Sequence, residues 1–65
     1  VIVNKYTIKI LDYDATVRVY DNVESDIKYI IEVDSIPGLI GGGVTFEEAL
    51  VEATEALQMF LEVRE

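Results

Sequence analysis

The sequence predicts an α+β fold: two layers, with an antiparallel sheet of three or four strands and one long C-terminal helix packed on one face, in the order β-β-β-(β)-α. Three observations lead there. Up to Val33 the chain alternates apolar and polar residues with the period of half-buried strands. The only proline and all four glycines fall between Pro37 and Gly43, where that alternation stops. From Phe46 onward the apolar residues recur at helical spacing.

Residues Ile2 to Leu11 form the first strand, with Tyr6, Ile8 and Ile10 on one face and Lys5, Thr7 and Lys9 on the other. Asp12-Tyr13-Asp14 is a polar break of hairpin length. Ala15 to Tyr20 alternates again, Val17 and Val19 inward, Thr16, Arg18 and Tyr20 outward. Asp21 to Asp26 is a polar loop, with Asn22 and Ser25 as turn formers. Ile27 to Val33 is a third strand, with Tyr29, Ile31 and Val33 inward and Lys28, Ile30 and Glu32 outward. Pro37 lacks an N–H and stops the ladder, and Gly38 beside it makes a turn. Leu39 and Ile40 are candidates for a brief fourth strand, and Gly41, Gly42 and Gly43 give a flexible approach to the helix. Short connections favour antiparallel neighbours.

The helix should run from Phe46 to about Val63. Thr45 and Glu48 have capping-box spacing, each placed to satisfy a backbone N–H that the first turn leaves free. Phe46, Ala49, Leu50, Ala53, Leu57, Phe60 and Leu61 fall on the inward face; Glu47, Glu48, Val51, Glu52, Glu55, Gln58, Met59 and Glu62 fall outward. Arg64 is the only basic residue in this segment. Glu48 and Glu52 are like charges four apart, and Glu62 and Glu65 sit at the unfavourable end of the helix dipole. A helix selected only for stability would place Lys among them. The basic residues Lys5, Lys9, Arg18 and Lys28 instead fall on the outward face of the strands, beside Leu11, Tyr20 and Ile30. The domain is therefore expected to be bipolar, an acidic helix ridge opposite a mixed sheet face.

A chain of 65 residues is a single domain spanning 1–65, and it buries too little surface to be more than marginal alone. It has no cysteine and no histidine, so disulfides are excluded and carboxylates are the only candidate metal ligands. The remaining support is idealised packing or self-association. A net charge of −8 argues against nucleic-acid binding, which needs Lys and Arg to replace counterions, and suits a basic protein partner. No signal peptide and no apolar run of membrane-spanning length is visible, which makes the cytoplasm the expected location.

Catalysis finds little support. Nucleophilic triads need a base, usually His, and none is present. Paired carboxylates at Asp12 with Asp14, or Glu32 with Asp34, read better as turn and solvated-face residues than as an acid–base pair or a Mg²⁺ site. The glycine run ahead of the helix resembles an anion cradle but lacks the Gly-Lys-Ser/Thr ending of a phosphate loop. Neither a cofactor nor a catalytic or metal site is expected. Val51 and Met59 on the acidic ridge are candidates for a small apolar anchor.

The span from about Thr16 to Glu62 resembles the HicB antitoxin-like family. Tyr29-Ile30-Ile31-Glu32-Val33-Asp34-Ser35-Ile36-Pro37-Gly38 resembles the family's aromatic strand and Asp-Leu-Pro-Gly turn. Gly43-Val44-Thr45-Phe46-Glu47-Glu48-Ala49-Leu50 is close to its Gly-Asp-Thr-Leu-Glu-Glu-Ala, and Ala53, Glu55, Ala56 and Leu57 follow its Ala-x-Glu-Ala-Leu. Pro37, Gly38, Gly43, Thr45 and Glu48 are thus structural-motif positions. The departures are Leu39 in place of a frequent cysteine, Val44 in place of an acidic residue, and Val1 to Leu11 as an added N-terminal strand. The resemblance implies a partial RNase H-like fold. It also implies a role in masking a small basic mRNA-cleaving toxin, HicA, and assembly as a dimer or larger oligomer. Full antitoxins of the family carry a DNA-binding segment after this domain, so DNA binding is not expected from these residues.

Two readings of function follow: a non-catalytic, HicB-like binding module, or a stand-alone oligomeric domain with no toxin partner. A residual nuclease using sheet carboxylates ranks last. For the module, Glu48, Glu52, Glu55, Met59 and Glu62 are the expected partner-binding residues. For self-association, Leu11, Tyr20 and Ile30 are expected on the sheet's outer face.

Overall fold

A computed structural model of the chain describes residues 2–21 and 27–63. Four strands, β1 (Ile2–Ile10), β2 (Tyr13–Tyr20), β3 (Tyr29–Val33) and β4 (Ile40–Gly43), are followed by one helix, α1 (Phe46–Val63). The strands form a single antiparallel meander in the order β1-β2-β3-β4. This is the predicted α+β arrangement, with the fourth strand present and the helix bounds as expected. The predicted loop at 21–26 lies outside the described residues except for Asp21, as do Arg64 and Glu65.

The first turn is tighter than the sequence suggests. It consists of Leu11 and Asp12, with φ of 50° and 70°, and Ile10 pairs with Tyr13. A two-residue hairpin turn needs positive φ at both positions to match the strand twist. Tyr13 and Asp14 therefore belong to β2. Leu11 stands at the hairpin tip, not on the outer face of the sheet. Its side chain gives no sequence warning of this, because Leu is a poor left-handed residue.

Alternation sorts the two faces as expected. Ala15, Val17, Ile31 and Val33 are fully buried and Ile10 nearly so, while Ile8, Tyr13, Val19 and Tyr29 pack on them from the rim. Tyr6 is 37% exposed, because α1 packs mainly on β4 and β3 and meets Tyr6 through the Phe46 ring. β3 is shorter than predicted, beginning at Tyr29. Even so, the Lys28 carbonyl accepts from the Tyr20 N–H at 2.7 Å, and the Lys28 N–H donates to the Gly43 carbonyl at 3.1 Å.

Between β3 and β4 the Leu39 N–H donates to the Ile36 carbonyl at 3.1 Å across Pro37 and Gly38, whose φ is 90°. Pro second and a positive-φ Gly third define a type II turn, which explains the Pro-Gly pair. The glycines that follow are strand, not a flexible approach to the helix. A Cβ on Gly41 would sit 2.4 Å from the Ala53 nitrogen, and one on Gly43 would sit 2.6 Å from the Glu48 Cβ. β4 is thus the surface on which the helix backbone rests, with Ala49 and Ala53 fully buried against it.

α1 packs on β4 and then β3. Ala49, Ala53 and Leu57 are buried; Phe46, Leu50, Ala56 and Leu61 are partly so. Phe46 reaches farthest, with ring centroids 6.3 Å from Tyr29 and 6.4 Å from Tyr6. Eighteen helical residues extend about 27 Å, well past the four residues of β4. Phe60, expected inward, therefore overruns the sheet and is 37% exposed.

Candidate functional site

The helix glutamates divide into two groups. Glu48 and Glu52 make hydrogen bonds to backbone. The Glu48 carboxylate accepts from the Val44 N–H at 3.0 Å, and the Glu48 N–H donates to the Thr45 hydroxyl at 3.2 Å. This is the expected capping box with its return bond shifted one residue earlier, to Val44 rather than Thr45. The Glu52 carboxylate accepts from the Gly42 N–H at 3.1 Å, tying the helix to β4 across ten residues. Nothing in the sequence signals that bond, since it exists only once the helix lies along β4. Glu47, Glu55 and Glu62 are the second group, exposed along the helix. The two ion pairs among the described residues, Lys9–Asp14 and Arg18–Glu32, involve none of the helix glutamates.

Together with Gly42, Gly43 and Val51, the residues Glu47, Glu48, Glu52 and Glu55 line a shallow hollow of about 490 Å³ along β4. Val51 and Met59 are exposed among the acids, at 56% and 65%. Of the expected partner-binding residues, Glu48, Glu52 and Glu55 come together here, while Met59 lies at the other end of the helix. The glycine run does not form an anion cradle. The N–H groups of Gly42, Val44 and Glu48 are already taken by Glu52, Glu48 and Thr45.

Met59 belongs to a second, apolar groove of about 570 Å³, formed where the helix overruns the sheet and lined by Ile36, Pro37, Leu39, Ile40, Ala56, Met59, Phe60 and Val63. The groove adjoins the outer face of the sheet at Ile40. On that face Tyr20 and Ile30 are half-buried, and Ile27 and Ile30 lie against Gly42, each 3.3 Å from where its Cβ would be. Ile27 and Ile40 are about half exposed. Tyr20 and Ile30 therefore stand where self-association was expected, joined by Ile27 and Ile40 in place of Leu11.

The carboxylate pairs do not converge. Asp14 pairs with Lys9 at 3.1 Å and Asp12 sits in the turn. Glu32 meets Arg18 at 3.4 Å, and Asp34 accepts from the Thr16 hydroxyl at 2.7 Å. Among the described residues no three acidic side chains gather as a metal site, and no helix is long and apolar enough to cross a membrane. No protein-family model, curated protein or solved structure matches the chain.

Proposed function

We propose that this domain is a non-catalytic, cytoplasmic binding module of the HicB-like type, whose acidic helix masks a small basic RNA-cleaving protein. The observation that carries the reading is the exposed series Glu47, Glu55 and Glu62, with no basic side chain among them and Val51 and Met59 exposed alongside. Charge arranged this way raises association rates and suppresses wrong partners. Glu48 and Glu52 contribute field while also holding the fold. The resemblance over residues 16–62 supports the same partner class.

Native capture on the immobilised domain, from lysate of its own source, tests this. A small basic protein with ribonuclease activity should be retained at low salt and lost with Glu55→Lys/Glu62→Lys. Retention of no basic protein, or retention unaffected by the double substitution, would contradict the reading.

The second reading, a stand-alone oligomeric domain, is favoured by the apolar band running from Tyr20, Ile27 and Ile30 through Ile40 to Met59 and Val63. This reading has no toxin partner and is the alternative to the first; the band meets the ridge only at Met59.

A further inference from the structure

The open edge of β4 is the feature the sequence does not announce. β4 has β3 as its one neighbour in the sheet. The carbonyls of Leu39 and Gly43 accept from β3-side N–H groups, those of Val33 and Lys28. Strand alternation then turns the peptide groups of Ile40 and Gly42 to the open side. There the Glu52 carboxylate sits 3.1 Å from the Gly42 nitrogen, the position a neighbouring strand's carbonyl would occupy. The carboxylate is an internal stand-in for a partner backbone.

The surroundings select the partner. Gly42 and Gly43 line the hollow beside the edge, and Glu47, Glu48 and Glu55 border it with Val51. A second copy pairing β4 to β4 would bring its own glutamates against these, and like charges disfavour that arrangement. An extended segment bearing Lys or Arg meets the opposite field.

We propose that the edge of β4 is a docking site for an extended basic segment of a partner protein. The segment adds as a fifth strand, its carbonyl replaces the Glu52 carboxylate on the Gly42 N–H, and Glu52 turns to an incoming cation. Main-chain pairing then supplies affinity and the flanking acids supply selectivity. This rests on the reading of the ridge as the partner surface and adds the backbone geometry of capture.

The test uses the full chain and a synthetic peptide of about ten residues alternating Lys and Val, the length of a typical added strand. Its control is the same peptide with N-methyl groups throughout, which keeps the charge and removes the donors of both edges. Amide chemical shifts and hydrogen exchange are followed at low salt. The expected result is shifted Ile40 and Gly42 amides, slower exchange at Ile40, and binding at least about tenfold weaker for the methylated peptide. Equal binding of the two peptides, shifts confined to the helix, or no binding overturns the proposal. If a basic protein is still captured under any of those results, the ridge remains the partner surface and only the edge pairing is lost. Edge binding of the peptide with no captured protein would do the reverse.

Discussion

Gly41 is the residue on which helix and sheet meet. A Cβ there would lie 2.4 Å from the Ala53 nitrogen and 2.8 Å from the Ala49 carbonyl oxygen, both backbone atoms that cannot step aside. Gly41→Ala should therefore lift the helix from β4 and cost about 2–3 kcal/mol, as overpacking does, lowering the thermal midpoint by about 10 °C or more. Gly42→Ala is the control, since its Cβ meets the Ile27 and Ile30 side chains at 3.3 Å, which can give, and the Tyr29 carbonyl oxygen at 3.4 Å, an ordinary contact. That change should stay within about 0.5 kcal/mol. Equal losses at both positions would show that the contact is not what holds the helix. At the hairpin tip, Leu11 has φ of 50° with its side chain 46% exposed. Leu11→Asn should stabilise by about 0.5–1 kcal/mol in denaturant unfolding by relieving left-handed strain at no loss of core.

The helix carries two kinds of acid, and substitution separates them. Glu48→Ala removes the bond to Val44 and should cost about 1 kcal/mol, as loss of a cap does. Glu62→Lys lies near the C-terminal end of α1, where a cation suits the dipole, and should stabilise by about 0.3–1 kcal/mol. Thermal unfolding checks both. A ridge whose removal improves the helix has a reason to exist other than stability. The helix itself was plain in the sequence, because the apolar period and the Thr45–Glu48 spacing are local signals. The inner faces of the strands were equally plain from alternation. The glycine strand was not, since three consecutive glycines carry no alternation to read, and their need arises from a helix packed across the chain. The role of Glu52 was hidden for the same reason: its partner at Gly42 is local only in three dimensions. Helical periodicity places Phe60 inward but says nothing of where the sheet beneath it ends.

As a whole the molecule has a small core of nine buried residues among those described, three of them alanine. That is little burial for a free-standing domain, and the apolar band at Ile27, Ile30, Ile40 and Met59 is the surface that a second copy could cover. The glutamates beside the β4 edge disfavour pairing of two copies there, and that face is the expected route. Sedimentation equilibrium at about tens of micromolar should show a mass above the monomer, and Ile30→Lys should return it to monomer while leaving the helix folded. A monomer throughout would confine the band to a purely structural role. The central claim, however, is that the acidic helix is a partner surface. Its most direct test is the affinity of the captured basic protein for the wild-type domain and for Glu55→Lys/Glu62→Lys, measured side by side at low salt. The variant should lose at least about tenfold in affinity with its fold intact and its thermal midpoint unchanged or raised. Equal affinity for both proteins would contradict it.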